Sequence, residues 1–157
     1  MKPRKKRDVL YPPNVLYFKP QGIPIYSLGT VCVTVDEYEA IRLSDYEKLK
    51  HEDAAKQMNI SRPTFSRLLE SAHNKISDAL VNGKAVRIEG GDFNFLGKRY
   101  RCRKCGFYWS IEKYVSADLN CPKCNDSEID DIGENLVSQT IHGRGRGGRF
   151  GHGWDKQ

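Results

Sequence analysis

Four cysteines constrain the C-terminal half of this chain more strongly than any other feature of its sequence. They form two pairs, with two residues inside each pair and fifteen residues between the pairs: Cys102, Cys105, Cys121 and Cys124. At this spacing each pair can form a tight turn, and the two turns close a tetrahedron of sulfurs around a metal ion. So short a segment has little core of its own, and metal binding would therefore supply most of its folding free energy. We expect one structural Zn²⁺ in a small β-rich zinc ribbon.

Iron is the alternative metal for four thiolates, as in rubredoxins, although fifteen residues between the pairs is short for that class. Aromatic residues flank the first pair, and they favour packing over the metal site, with stacking on single-stranded bases as the alternative. These residues are Tyr100, Phe107, Tyr108 and Trp109. The fifth cysteine, Cys32, lies among valines that alternate with polar residues, a short-strand pattern, and we expect its side chain to be a small buried hydrophobe.

Residues 34–58 carry the signals of two consecutive helices. Thr34 followed by Glu37 is a capping box, which predicts a first helix at about 35–49. The segment HEDAAKQM, at 51–58, predicts a second, short helix in which two alanines permit close packing.

A third helix is predicted directly after a tight turn at Asn59, a residue type that tolerates the left-handed conformation. Ser61 predicts its N-cap and Gly83 its C-terminal end. Between them the apolar residues recur with the helical period, at Phe65, Leu68, Leu69, Ala72, Ile76, Ala79 and Leu80. AVRIE at 85–89 predicts a short strand after this helix.

Two short helices around a tight turn, the second with a basic and polar N-terminal surface, are typical of a helix-turn-helix that places its second helix in the major groove. The predicted contact residues are Arg62, Pro63, Thr64, Ser66 and Arg67. Arginine can bond the O6 and N7 atoms of guanine together, and hydroxyl side chains can contact bases or phosphates. An ordinary helical hairpin is the alternative interpretation.

A family resemblance supports the first interpretation. The run VTVDEYEAIRLSDYEKLKHEDAAKQMNISRPTFSRLLESAHNKISDALVNGKAVRIEGG, with the upstream YFKPQGIP, resembles the uncharacterised protein family 0251 of prokaryotes. The resemblance covers residues 1 to about 91 and implies a helix-turn-helix similar to region four of sigma factors. The base-reading positions of that region match Arg62, Pro63, Ser66 and Arg67. Pro63 departs from the charged residue that is usual there.

The net charge of +6 is unevenly distributed. Basic residues concentrate in 1–24, in 98–124 and after 136, whereas 125–136 is acidic. Basic patches on an otherwise balanced body predict a polyanion partner, with solubility alone as the alternative. In the N-terminal arm we expect Lys5, Lys6 and Arg7 to follow the DNA backbone or to enter the minor groove.

The sequence divides into four segments: a basic Pro-rich arm (1–24), a helix-turn-helix domain (25–91), a zinc-ribbon module (98–135) and a disordered Gly/Arg-rich tail (141–157). No apolar periodicity bridges Gly90-Gly91, which predicts a linker between separately folding modules. The predicted fold class is therefore a mainly α helix-turn-helix domain with short flanking strands, plus a small β-rich zinc ribbon.

These features predict a sequence-specific DNA-binding protein that regulates transcription. A rubredoxin-like iron redox protein and an RNA-binding ribbon protein are the alternatives. We expect no enzyme, because no nucleophile with an adjacent base or phosphate-binding loop is visible. Without a bilayer-length apolar run or a secretory signal, a soluble, cytoplasmic, nucleoid-associated protein is expected, with no membrane partner. Double-stranded DNA is the expected partner, and RNA polymerase, RNA and a second copy of the chain remain open.

Overall fold

The computed structural model describes residues 5–112 and 119–142. The Gly/Arg-rich tail predicted at 141–157 lies outside the described residues from position 143 onward. The described part combines four α-helices with short strands in three small sheets. Its helices are α1 (Val35–Ile41), α2 (His51–Gln57), α3 (Arg62–Asn82) and α4 (Ile132–His142), with a 3₁₀ turn at Ile25–Ser27 and a π-helical turn at Arg42–Tyr46.

The strands are β1 (Arg7–Val9), β2 (Tyr17–Phe18), β3 (Thr30–Val33), β4 (Ala85–Ile88), β5 (Phe93–Phe95), β6 (Gly97–Cys102), β7 (Tyr108–Glu112) and β8 (Ile129–Asp131). Strand β1 pairs with β5 in parallel. Strand β4 lies between β2 and β3, antiparallel to the first and parallel to the second. Strand β6 lies between β7 and β8 and runs antiparallel to both. The first half of the chain therefore contributes strands to two sheets besides its helices.

The capping box that the sequence predicts at the start of α1 is confirmed. Thr34 Oγ1 accepts from the backbone N–H of Glu37 at 3.4 Å, and Glu37 Oε2 accepts from the N–H of Thr34 at 2.9 Å. The predicted end of this helix at 49 is wrong, because the helix changes to the π-helical turn and stops at Tyr46. Lys48 has a φ of 59°, which ends the helix.

The second and third helices begin close to where the sequence predicts. Asn59 has a φ of 55° in the turn between them, and Ser61 caps α3 by accepting from the N–H of Thr64 at 3.3 Å. Gly83, with a φ of 62°, ends α3 in the left-handed conformation. The prediction that Leu80 belongs to the buried stripe is wrong, since its side chain is 79% exposed. Ala79 faces the core, and the next residue is turned about 100° away from it.

The apolar core has two parts. The first, here the helical core, joins α1, the π-helical turn, α2 and the start of α3 through Ala40, Leu43, Ala54, Ala55, Met58, Phe65 and Leu69. The second, here the shared core, consists of Val9, Val35, Ile88, Ile132 and Leu136. The shared core takes residues from both sides of Gly90-Gly91, the point at which the sequence predicts a linker between separately folding modules. Contacts between elements distant in sequence leave no periodic signal, which is why the sequence did not indicate them.

The Gly90-Gly91 segment is itself packed against the start of α1. Val35 donates its backbone N–H to the carbonyl of Gly90 at 3.0 Å. Gly91 has a φ of 98°, and a Cβ atom there would lie 2.5 Å from Oδ1 of Asp36. Glycine is therefore required at position 91 because Asp36 lies too close for a side chain there, and not because a free linker needs flexibility.

Glu37 gives α1 a pH-dependent contribution to stability. Burial raises the pKa of this carboxyl, but hydrogen bonds from Lys75 (2.7 Å), Ser71 (2.7 Å) and the N–H of Thr34 outweigh it and hold the pKa below the ordinary 4.5. A depressed folded-state pKa stabilises the protein above the unfolded pKa, and this contribution is lost as the pH falls through the folded pKa. We expect Glu37→Gln to lower the free energy of unfolding at pH 7 and to have progressively less effect below about pH 4.5.

Urea unfolding of both proteins between pH 7 and pH 3 measures this difference. Glu70→Gln is the matched control, because Glu70 is exposed on the same helix as Lys75 and Ser71. A difference between Glu37→Gln and the natural chain that stays constant over the whole pH range would contradict the assigned role of Glu37.

Candidate functional site

The four cysteines meet at one point, although the two pairs lie far apart in the sequence. Sγ of Cys102 lies 3.6 Å from Sγ of Cys124, and Sγ of Cys105 lies 3.6 Å from Sγ of Cys121. All four sulfurs lie within 4.8 Å of one another. In a tetrahedral site with metal–sulfur bonds near 2.3 Å, the sulfurs are about 3.8 Å apart. The four cysteines are therefore positioned to hold one metal ion, as their spacing predicts.

Two equivalent turns carry these sulfurs. In the first, Gly106 donates its N–H to the carbonyl of Cys102, and Cys102 donates its own N–H to the carbonyl of Phe107. In the second, Asn125 and Cys121 repeat the pattern, with Asp126 as the last acceptor. Gly106 and Asn125 both have positive φ, 72° and 60°. Asparagine is one of the few residues that adopts this conformation readily.

The thiols of this cluster do not titrate alike. Burial raises the pKa of Cys121, but the N–H groups of Cys124 and Lys123 and the neighbouring thiols lower it to about 7. The N–H of Asp126 acts to lower the pKa of Cys124, but burial and the other three cysteines raise it to about 12. Cys121 and Cys124 therefore do not ionise together easily. A bound cation relieves that repulsion, since metal ligation requires the deprotonated form.

The basic residues around the cysteines are paired with the acidic segment that follows them. Lys104 contacts Asp126 at 3.2 Å, Arg103 contacts Asp130 at 2.6 Å, and Lys98 contacts Asp131 at 3.2 Å. Antiparallel pairing of β6 with β8 brings Lys98 and Arg103 close to the carboxylates of β8, whereas Lys104 and Asp126 lie in the two cysteine turns. The positive charge that the sequence predicts for a polyanion partner in 98–124 is thus partly balanced within the fold.

The aromatic residues near the cysteines form a row along β6 and β7. The rings of Tyr100 and Trp109 lie 5.7 Å apart, and those of Trp109 and Phe107 lie 6.3 Å apart and are stacked. Tyr100 is buried and Tyr108 packs against the shared core, whereas Phe107 is 39% exposed. Tyr100 and Tyr108 therefore pack within the fold, and the predicted packing of the aromatic rings over the metal site stays a prediction.

The predicted recognition surface lies at the start of α3. Arg62, Pro63 and Arg67 are exposed there. Thr64 and Ser66 are half-buried and already bonded, since the Thr64 hydroxyl lies 2.8 Å from that of Ser61 and Ser66 Oγ lies 3.2 Å from Nδ1 of His51. The two arginines are therefore the most accessible of the predicted contact residues.

The three basic arm residues have different surroundings. Lys5 donates from Nζ to Oδ1 of Asn59, the turn residue before α3, at 2.9 Å. Lys6 is exposed. Arg7 lies in β1 and forms an ion pair with the buried Asp36, with 2.6 Å between Nη1 and Oδ2. The structure thus places Lys5 beside the turn before α3 and gives Arg7 a structural contact that the sequence did not indicate.

The prediction of a buried Cys32 is wrong, because this side chain is exposed. It lies on β3, an edge of its sheet.

Lys56, at the end of α2, was not singled out by the sequence but lines the same surface as Lys5. No helix within the described residues has the length and apolar character needed to span a bilayer.

Residues 1–96 match a family that is described as "Protein of unknown function DUF134". This chain belongs to that family. The resemblance of residues 1 to about 91 to family 0251 is confirmed by relatives described as UPF0251 proteins. The one from Moorella thermoacetica is 46% identical over 150 residues, 94% of either chain. The one from Desulforudis audaxviator is 44% identical over 128 residues, 82% of this chain and 84% of the relative.

A third relative of this DUF134 protein, from Caldanaerobacter subterraneus subsp. tengcongensis, is 54% identical over 100 residues, which are 64% of this chain and 85% of the relative. No solved structure matched the chain. The DUF134 match ends before Cys102, whereas the alignment with the Moorella relative covers 94% of the chain.

Proposed function

We propose that this DUF134 protein is a sequence-specific DNA-binding protein whose α3 enters the major groove. The observation that carries the proposal is the arrangement of α2, the turn at Asn59 and α3. Phe65 and Leu69 hold the buried side of α3 against the helical core, so Arg62 and Arg67 face outward in its first two turns. A helix fixed in this way and basic at its exposed N-terminal end has the features of a helix-turn-helix recognition helix.

The N-terminal segment supports the same interpretation. Lys5 is bonded to Asn59, and Asp8 donates its N–H to the carbonyl of Met58, so the segment runs along the turn before α3. Lys5 is therefore held on the side of the protein that would meet the phosphate backbone. Contacts of this kind position a protein on the duplex, whereas contacts with base edges specify the sequence.

For the cysteine cluster we propose a structural zinc site in a zinc ribbon. Four sulfurs leave no ligand position for water, which is the arrangement of structural zinc sites. Iron is the alternative that the same ligands allow, and the two metals differ in colour, since four-thiolate iron absorbs visible light and zinc does not. Metal analysis with a visible spectrum of the purified chain distinguishes them.

The ion pairs between residues 98–104 and the acidic segment at 125–136 favour DNA binding by α3 over RNA binding by the ribbon. Lys98, Arg103 and Lys104 already have carboxylate partners. We propose that the DNA contacts come from α3 and the arm, that the protein acts on transcription and that it has no catalytic step.

Selection of bound duplexes from a random pool tests the proposal directly. Recovery of one consensus, bound in preference to random duplex and to single strands, is the expected result. Preference for single-stranded RNA, or enrichment of no duplex at all, would contradict it.

Arg67→Ala is expected to relax the base preference at one or two positions of that consensus. The loss of a bidentate base contact costs about 1 to 3 kcal/mol on the best site. Binding curves on the consensus, on single-base variants and on random duplex measure the effect. Arg87→Ala is the matched control, because it removes the same charge from β4. Equal weakening on consensus and random duplex would show that Arg67 contacts only phosphate.

A further inference from the structure

A cavity of about 650 Å³ lies between the N-terminal segment, the end of α2 and the start of α3. Its lining residues are Lys5, Arg7, Lys56, Asn59, Ile60, Ser61 and Thr64. Among the described residues that line it, three are cations from two distant parts of the sequence, and none is acidic. Its volume falls within the range of ordinary ligand sites, roughly 300 to 1,000 Å³.

The cations in this cavity are not equally neutralised. Arg7 forms a 2.6 Å ion pair with the buried Asp36. Lys5 is bonded at 2.9 Å to Asn59, a neutral amide, which leaves its charge in place. The carboxylates described near Lys56 are Glu52 at 3.7 Å and Asp53 at 4.0 Å, and all three side chains are more than half exposed. Exposed pairs of this kind interact weakly. The cavity therefore retains positive charge from Lys5 and Lys56.

The uncharged lining adds groups that suit an oxyanion. The hydroxyls of Ser61 and Thr64 lie at the same cavity, 2.8 Å apart. One of these O–H groups donates to the other hydroxyl, and the remaining O–H can donate to a bound oxygen. Ammonium and hydroxyl donors around an open polar space match the oxygens of a phosphate group.

We propose that this cavity binds a phosphate group, and that in the DNA complex it holds one backbone phosphate of the duplex beside α3. This inference rests on the proposed function, because DNA binding supplies the backbone phosphate that the cavity would hold. A free phosphorylated small molecule offers the same chemistry, and the experiment separates the two sources. In the DNA complex, Lys5 and Lys56 fix the position of the duplex relative to Arg62 and Arg67.

The test compares Lys5→Gln/Lys56→Gln with a charge-matched control, Lys19→Gln/Lys50→Gln, whose residues do not line the cavity. Inorganic phosphate is titrated into each full chain while the backbone amide resonances of residues 56–64 are followed by NMR. Affinity for the selected duplex is then measured against salt concentration. Thermal unfolding of each variant verifies that the fold is retained.

We expect phosphate to shift the resonances of residues 56–64 in the natural chain and in the control, and not in the cavity variant. The slope of log affinity against log salt should fall in magnitude by about 1 in the cavity variant, with the base preference unchanged, because one phosphate contact is lost.

The remaining outcomes separate this inference from the proposed function. A natural chain that binds no duplex but responds to phosphate through Lys5 and Lys56 supports the cavity as a site for a free phosphorylated ligand and refutes DNA binding. A selected duplex whose salt slope is the same in the cavity variant overturns the cavity inference and leaves DNA binding intact. Phosphate shifts that persist in the cavity variant also overturn it.

Discussion

Cys102→Ser is expected to abolish metal binding at the proposed zinc site and to unfold the sheet formed by β6, β7 and β8, here the cysteine sheet. Metal binding contributes about 10 to 16 kcal/mol of apparent free energy in small four-ligand zinc modules, so the loss of one ligand removes the main source of their stability. Cys102 ends the central strand of this sheet and is itself buried. Metal content, near-ultraviolet circular dichroism and hydrogen exchange of residues 97–131 measure the result.

The helices should respond in part to the same substitution. Ile132, Leu136 and Tyr108 pack with Val9 and Ile88 in the shared core, so unfolding of the cysteine sheet should lower the melting temperature of the helical half. The helical core contains no residue beyond Leu69, and most of the helical signal should therefore persist at 25 °C. Cys32→Ser is the matched control, since Cys32 is exposed and far from the cluster in sequence. A Cys102→Ser protein that keeps stoichiometric metal and its melting temperature would disprove the assigned metal site.

Arg7→Ala is expected to destabilise the whole described fold, whether or not it changes the affinity for DNA. The side chain of Asp36 is 2% exposed and forms its ion pair with Arg7, while Thr34 Oγ1 and the N–H of Glu37 also donate to it. Removal of one partner from a buried ion pair leaves an uncompensated charge and costs about 3 to 5 kcal/mol. Because Arg7 retains some exposure, about 3 kcal/mol is expected. Urea unfolding at pH 7 measures it.

Lys6→Ala is the control for Arg7→Ala, because it removes the neighbouring charge from an exposed side chain. It should change the free energy of unfolding by less than about 0.5 kcal/mol. Equal free energies of unfolding for the two variants would mean that the buried Asp36 is stable without its ion pair to Arg7. The same contact affects experiments on DNA binding, since deletion of residues 1–7 removes Arg7 from β1 along with the charges of the arm. The double substitution Lys5→Gln/Lys56→Gln leaves Arg7 in place and is therefore the cleaner test of phosphate contacts.

The proposed DNA surface and the metal site are connected through the fold. Val9, two residues after Arg7, packs in the shared core with Ile132 and Leu136 of α4, which follows the cysteine sheet. Lys5, two residues before Arg7, contacts the turn before α3. The N-terminal segment thus links the cysteine sheet to the recognition surface. A metal site with a structural role would act on DNA binding through this segment.

Local chemistry was enough for the sequence to predict several features. The capping box at Thr34, the left-handed turn at Asn59, the cap at Ser61 and the end of α3 at Gly83 each depend on a few adjacent residues, and the structure confirms them. The four-cysteine site was also predictable, because metal coordination imposes a fixed spacing on the ligands within each pair.

Tertiary structure alone decided which charges remain available and which parts of the chain fold together. Arg7 and Lys104 look equally basic in the sequence, yet Asp36 and Asp126 pair with them across the fold. Lys56 lies at the same cavity as Lys5 only because the N-terminal segment packs on the turn before α3. The shared core of Val9, Val35, Ile88, Ile132 and Leu136 likewise joins segments that each show too few apolar residues to reveal a periodic pattern. The physical reason is common to these cases, since helix caps, turns and paired metal ligands depend on neighbours in sequence, whereas ion pairs and core contacts depend on which distant residues the folded chain brings together.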